Sequence, residues 1–193
     1  ASFWMMPRLQ QFRDDLPGID LRIQTADRDV DLLAEGVPLG IRGGTAADWP
    51  DYDLLPIAKE EIYAVAGPAY IARSGLPATP AEMTYHRLIH LEEPFRPAAN
   101  WNEWFQSAGI NGSVANRGLL INDYVLVIQA VMEGQGIGLG WRHLTDRLVA
   151  SGLLVRVTDH VMTTGLDFHV AWPKNRDLTD SARKVRDWLA SQA

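Results

Sequence analysis

The feature that most constrains this chain is a repeated switch between helical and extended hydrophobic periodicity. Met5, Leu9, Phe12 and Leu16 recur at helical spacing and share one face, and Pro17-Gly18 ends the run. Pro7 fits such a helix only near its first turn, where no backbone N–H is needed. Ile19, Leu21 and Ile23 then alternate with Asp20, Arg22 and Gln24, as in a strand with one apolar face. Asp27 is placed to cap a short helix carrying Val30 and Leu33 up to Gly36. Residues 39–41 read as a strand that breaks at Gly43-Gly44, and residues 45–53 as a loop. Further strands are expected at 61–66 and 87–91, separated by a Gly/Pro/Ala-rich connection over 67–80 and a short helix from about Pro80.

The same alternation continues to the end. A helix is expected over 98–108 and a strand over 119–121. Asn122 or Asp123 can cap a helix with Val125, Ile128 and Met132 on one face, stopped at Gly134. A strand over 137–141, a short helix with Leu144 and Leu148, strands over 153–157 and 166–172, and a last helix through Leu178, Ala182, Val185 and Leu189 follow. Repeated β-α-β order predicts an α/β fold with mostly parallel sheets covered on both faces.

At 193 residues and 47% apolar content the chain can bury a real core, as one domain or two small lobes. A net charge of −6, without any run of clustered Lys and Arg, offers no attraction to a phosphate backbone, so these residues are not expected to bind DNA themselves. The absence of Cys removes disulfides, thiolate metal sites and a cysteine nucleophile. No apolar run reaches the ~18–20 residues of a membrane span, and no signal peptide is legible at the start, so no membrane contact is expected. Ala1-Ser2 leads straight into the first apolar stripe, as in a piece of a longer chain.

Several patterns invite chemistry and are better explained without it. Gly134, Gly136, Gly138 and Gly140 follow a helix and lead into a strand, the reverse of a phosphate-binding loop. His86 and His90 flank a strand with no third ligand nearby, so no metal is expected. The carboxylates at Asp14-Asp15, Asp27, Asp29, Asp31 and Glu60-Glu61 read as solvated faces and helix caps. No nucleophile elbow is present, and neither enzymatic activity nor a cofactor is expected. Of seven tryptophans, Trp188 reads as a core anchor, while Trp49, Trp101, Trp104, Trp141 and Trp172 lie in or beside loops or at strand ends. Ligands of open α/β sheets sit beyond the carboxyl ends of strands, which singles out Trp141 and the polar residues after neighbouring strands: Thr25, Arg42, Glu92 and Asp123.

Trp4-Met5-Met6-Pro7-Arg8-Leu9, Pro17-Gly18-Ile19-Asp20-Leu21-Arg22-Ile23 and Leu33-Ala34-Glu35-Gly36-Val37-Pro38-Leu39-Gly40-Ile41-Arg42 resemble the opening of LysR-type effector domains. Tyr63-Ala64-Val65-Ala66-Gly67 and Glu133-Gly134-Gln135-Gly136-Ile137-Gly138-Leu139-Gly140-Trp141 extend the resemblance along the chain, towards the glycine-cleavage-activator-like branch. Pro38-Leu39-Gly40 departs from the usual Asp-x-Ala before Ile41-Arg42. The usual first strand and the winged helix-turn-helix before it are not in the sequence, so DNA binding is implied only through an N-terminal domain of the parent protein.

The resemblance implies two Rossmann-like lobes of the type II periplasmic-binding-protein kind, 1–60 with 168–193 and 61–167, and an effector cleft between them. The implied ligand positions are Ser2, Phe3, Thr25, Ala26, Asp27, Arg42, Gly43, Glu92, Asn122, Asp123 and Trp141, with Leu91 beside them. It also implies a cytoplasmic homodimer or tetramer that pairs the first helix with the helix over 125–132. His90-Leu91-Glu92-Glu93-Pro94, Asn122-Asp123-Tyr124 and Gly140-Trp141-Arg142-His143 are similar to regulators of choline-sulfate use, which implies a quaternary ammonium effector such as choline sulfate, choline or betaine. Aromatic faces and a nearby anion suit such a cation. The rival is a solute-binding protein of a transport system, which shares the architecture.

Overall fold

A computed structural model of the chain describes residues 2–26, 28–93, 98–111 and 118–192. The first elements are α1 (Ser2–Met5), a 3-10 turn (Met6–Arg8), α2 (Leu9–Asp15), β1 (Gly40–Gly44), a 3-10 turn (Ala46–Asp48) and β2 (Tyr52–Ala66). Then come α3 (Pro68–Ser74), a 3-10 turn (Ala81–Tyr85), β3 (Ile89–Leu91), α4 (Trp101–Ser107), β4 (Leu119–Ile121) and α5 (Tyr124–Met132). β5 (Ile137–Trp141), α6 (Arg142–Ala150), β6 (Val155–Arg156), β7 (Met162–Pro173) and α7 (Asp180–Ser191) complete the order. Two compact units result, residues 1–60 with 164–193, and residues 61–163. The second division falls inside β7, before the 166–172 strand expected from the sequence. Asp167 belongs to the first unit because it pairs with Gly44 of β1.

In the first unit, Pro7 lies in the opening of the 3-10 turn that divides the expected first helix into α1 and α2. Trp4, Met5 and Phe12 are buried, and Phe12 meets Trp188 of α7 edge-on at 5.1 Å. The Trp188 indole N–H donates to Asp15 Oδ2 at 2.8 Å, which pins the end of α2 to α7. Residues 19–24 belong to no strand of the described residues, and Leu21 and Ile23 stay 37% exposed. Alternation alone does not make a strand; a neighbouring ladder has to take up its backbone groups. The expected helix up to Gly36 is a run of turns, in which Asp31 Oδ1 accepts from the N–H groups of Leu33 and Ala34 at 2.9 and 3.3 Å.

The expected parallel sheets are mostly antiparallel. β1 pairs antiparallel with β7, and β2 does so with both β5 and β6. Parallel pairing joins β3 to β4, and an isolated parallel bridge joins Leu88 to Ile137. β2 leaves the first unit and β7 returns to it, so these two neighbouring strands run in opposite directions. β2 is also nine residues longer than expected at its start, because it tolerates Pro56 at an exposed position.

The core of the second unit is built on residues 62–66 of β2, all fully buried, with Trp101, Trp104 and Phe105 of α4 and Val127, Ile128 and Val131 of α5. Trp104 donates its indole N–H to the Ile62 carbonyl at 3.2 Å and packs against both aromatic neighbours on α4. Trp104→Ala therefore empties a large buried volume and leaves a buried carbonyl without its donor. The expected loss is about 3–5 kcal/mol, measured by urea unfolding monitored by circular dichroism.

Candidate functional site

In the second unit β3 and β4 are parallel, and β5 enters through the parallel Leu88–Ile137 bridge. Their carboxyl ends, at Leu91, Ile121 and Trp141, therefore follow one edge. The Glu92 N–H donates to the Ile121 carbonyl at 2.8 Å and carries the β3–β4 ladder one residue further. Beyond these ends stand Glu92, Asn122 and Asp123, all exposed. Arg142, the residue after Trp141, forms an ion pair with Glu61, Nε to Oε2 at 2.7 Å.

Trp141 is only 5% exposed and stacks edge-on against Tyr124 at 5.1 Å. Burial pushes the Tyr124 phenol well above its ordinary range, so it stays protonated; its oxygen accepts the Trp141 backbone N–H at 3.1 Å. A cavity of about 20 Å³ beside the ring is lined by Leu91, Asn100, Trp101, Val127, Leu139 and Trp141. That is room for about one water molecule. Asn100 went unnoticed in the sequence, although Asn100 and Glu103 form a reciprocal capping box at the start of α4 that the Asn-x-x-Glu spacing displays.

Asp123 caps α5. Its Oδ1 accepts from Val125 N at 2.7 Å and Leu126 N at 3.1 Å, and its charge faces the positive end of the helix. The edge thus gathers Glu92, Asn122, Asp123 and Trp141. The remaining expected positions belong to the first unit. Ser2 opens α1, Phe3 is half-buried in the same helix, and Thr25 and Ala26 are exposed; Asp27 lies outside the described residues.

Arg42 and Gly43 are inside β1, which does not break at Gly43-Gly44, because both glycines pair with β7. The Arg42 guanidinium turns onto its own unit. It donates to the carbonyls of Val30 at 2.8 Å and Ile41 at 3.3 Å, and lies 5.1 Å from the Trp49 ring centroid. Among the described residues no three His, Asp or Glu side chains gather as metal ligands. Ser107 and His160 lie 2.8 Å apart, but the Ser107 hydroxyl also reaches the Trp104 carbonyl at 2.7 Å, a local helix contact rather than a poised nucleophile.

The family model described as "LysR substrate binding domain" matches residues 1–193. The chain belongs to the LysR substrate-binding domain family. It is 28% identical over 193 residues to the "HTH-type transcriptional activator AmpR" of Rhodobacter capsulatus, covering all of this chain and 63% of that protein. It is 26% identical over 193 residues to the "Glycine cleavage system transcriptional activator" of Escherichia coli K12, again covering all of this chain and 62% of the relative. The solved effector domain of AmpR from Pseudomonas aeruginosa superposes with a TM-score of 0.79 at 26% identity, over 98% of this chain and 89% of that one. The two-lobed α/β fold of the type II periplasmic-binding-protein kind, expected from the resemblance, is the fold of this LysR domain. No helix of the described residues is long and apolar enough to cross a membrane.

The cap at Asp123 can be read by substitution in this LysR domain. Asp123→Ala removes the acceptor for two helix N–H groups and is expected to cost about 1 kcal/mol, whereas Asp123→Asn keeps the acceptor and should cost a few tenths. Thermal unfolding of the two variants side by side measures the difference.

Proposed function

We propose that this chain is the effector-sensing part of a LysR-type transcriptional regulator, which binds a small molecule and does no chemistry on it. The observation that carries the reading is the convergence of three parallel strand ends, bearing Glu92, Asn122, Asp123 and Trp141, on one edge of the second unit. Open α/β sheets hold their ligands there. The relatives are transcriptional activators, and this chain spans 62–63% of the length of the two compared above. In a cytoplasmic regulator of that kind, contact with DNA falls to a helix-turn-helix outside these residues, since a domain with a net charge of −6 repels a phosphate backbone. A transporter's solute-binding protein would share the fold but finds no support in those names.

Within this reading the effector is a quaternary ammonium compound such as choline sulfate, choline or betaine. Trp141 supplies an aromatic surface, and Glu92 and Asp123 supply negative charge on the same edge. The 20 Å³ cavity holds about a water and not a trimethylammonium head, so the cation settles at the exposed rim beside the carboxylates. At such an exposed rim a cation beside an aromatic ring gains about 0.5–1 kcal/mol, about two- to fivefold in affinity. Calorimetry is expected to show binding of at least one of the three compounds and much weaker binding of 3,3-dimethylbutanol, the neutral isostere of choline. Trp141→Ala should lose about two- to fivefold and Trp141→Phe less. Equal binding of the isostere, or no binding of any ammonium compound, removes the cation.

Self-association as a homodimer or tetramer is part of the same proposal. Leu120 of β4 and Leu126 of α5 are 60% and 52% exposed, large apolar side chains left open to solvent in the second unit. The first helix contributes less than its composition promised, since Trp4, Met5 and Phe12 are buried within their own unit. A mass above the monomer in sedimentation equilibrium, reduced to the monomer by Leu120→Glu with Leu126→Glu, is the expected result. A monomer at every concentration refutes it.

A further inference from the structure

Both backbone polar groups of Trp141 are held by hydroxyl groups from other elements. Its N–H donates to Tyr124 Oη at 3.1 Å, and its carbonyl accepts from Thr145 Oγ1 at 2.9 Å. Tyr124 opens α5 and also walls the indole edge-on. Thr145 lies one turn into α6 and is fully buried, with its Oγ1 3.0 Å from Tyr63 Oη on β2. One hydroxyl proton therefore serves two acceptors, the Trp141 carbonyl and the Tyr63 oxygen.

The Tyr63 proton is committed elsewhere. It is donated to Asp146 Oδ1 at 2.6 Å, the short distance of a bond to a carboxylate. Burial, and then that bond to Asp146, push the Tyr63 phenol up to about 12, so it remains a donor to Asp146 and an acceptor for Thr145. The Arg156 guanidinium covers the Tyr63 ring, 4.8 Å from its centroid. Gly140, the β5 partner of Tyr63, leaves the space this needs: a Cβ there would stand 3.0 Å from Thr145 Oγ1 and 3.2 Å from the Val65 side chain.

We propose that Thr145 and Tyr124 are positioning residues for Trp141, whose hydroxyls hold the backbone from which the indole projects at the ligand edge, with Thr145 tying the Trp141 carbonyl to Tyr63 on β2. The importance of the indole for ligand binding rests on the reading above that Trp141 borders the effector site. The positioning itself is observable without any ligand, so the two stand or fall separately.

The test is fluorine NMR of the whole chain labelled with 5-fluorotryptophan, with the Trp141 resonance assigned by Trp141→Phe. Thr145→Val and Tyr124→Phe are each expected to shift or broaden the Trp141 resonance while those of Trp49 and Trp188 in the first unit stay in place. Thr145→Ser, which keeps the hydroxyl and loses the methyl, is expected to return the Trp141 resonance to its original position. An unmoved Trp141 resonance in both Thr145→Val and Tyr124→Phe overturns the proposal, even if both variants are less stable. A resonance that Thr145→Ser fails to restore also overturns it, because the methyl and not the hydroxyl then sets the ring. Should Thr145→Val not fold, Tyr124→Phe and Thr145→Ser decide the matter between them.

Discussion

The backbone pairing of residues 62–66 of β2 is the constraint on which the second unit depends. These residues are fully buried, so their N–H and C=O groups must find partners within the protein, and each one left unpaired would cost about 1–3 kcal/mol. β5 pairs along the whole stretch, from Ile62 with Trp141 to Ala66 with Ile137, while β6 takes up Val65 and Ala66. Once β5 is placed, the Leu88–Ile137 bridge orients β3, and β3 orients β4. The edge that carries Glu92, Asp123 and Trp141 is thus the last link in a chain of ladders that begins in the core. Its geometry follows from hydrogen-bond accounting, not from contacts among the edge residues themselves.

The glycine quartet shows how one motif looks from the sequence and from the fold. Gly134 adopts a φ of +72°, the left-handed conformation of a residue just past a helix. Gly136 passes under the Arg87 carbonyl, where a Cβ would approach to 2.6 Å, and Gly138 faces the Val131 side chain at the same distance. Only Gly138 and Gly140 lie in the pleat of β5, and the small residues let α5 and the 87–89 segment lie directly on this stretch. Order along the chain was enough to reject a phosphate loop; the reason for each glycine needed the neighbours.

What was legible in the sequence divides along the same line. α5, β5 and α7 were readable because their signals are local: an Asp cap, a Gly stop, an apolar stripe at helical spacing. Residues 19–24 carry an equally good alternation and form no strand, because a strand is a property of two segments. The first nine residues of β2 were hidden by Pro56, and α3 by its Gly/Pro/Ala content, although Pro68 just after Gly67 is a helix-start signal. Strand direction was not legible at all. Antiparallel pairing of β1 with β7 joins segments more than 120 residues apart, and nothing in either announces the other.

For the site, residue type and position after a strand were sufficient to single out Glu92, Asp123 and Trp141, and the fold does bring them to one edge. The Asp123 cap of α5 was legible too, whereas the packing of Trp141 against Tyr124, which makes the indole part of the core, was not. That packing decides where ligand energy can come from. The indole is already desolvated and packed, so a ligand gains little from burying it further. The exposed carboxylates retain most of their hydration, and a ligand must compensate them for losing it. The edge is therefore a rigid aromatic wall beneath a hydrated, charged rim, and on the reading that an effector binds there its selectivity falls to the rim.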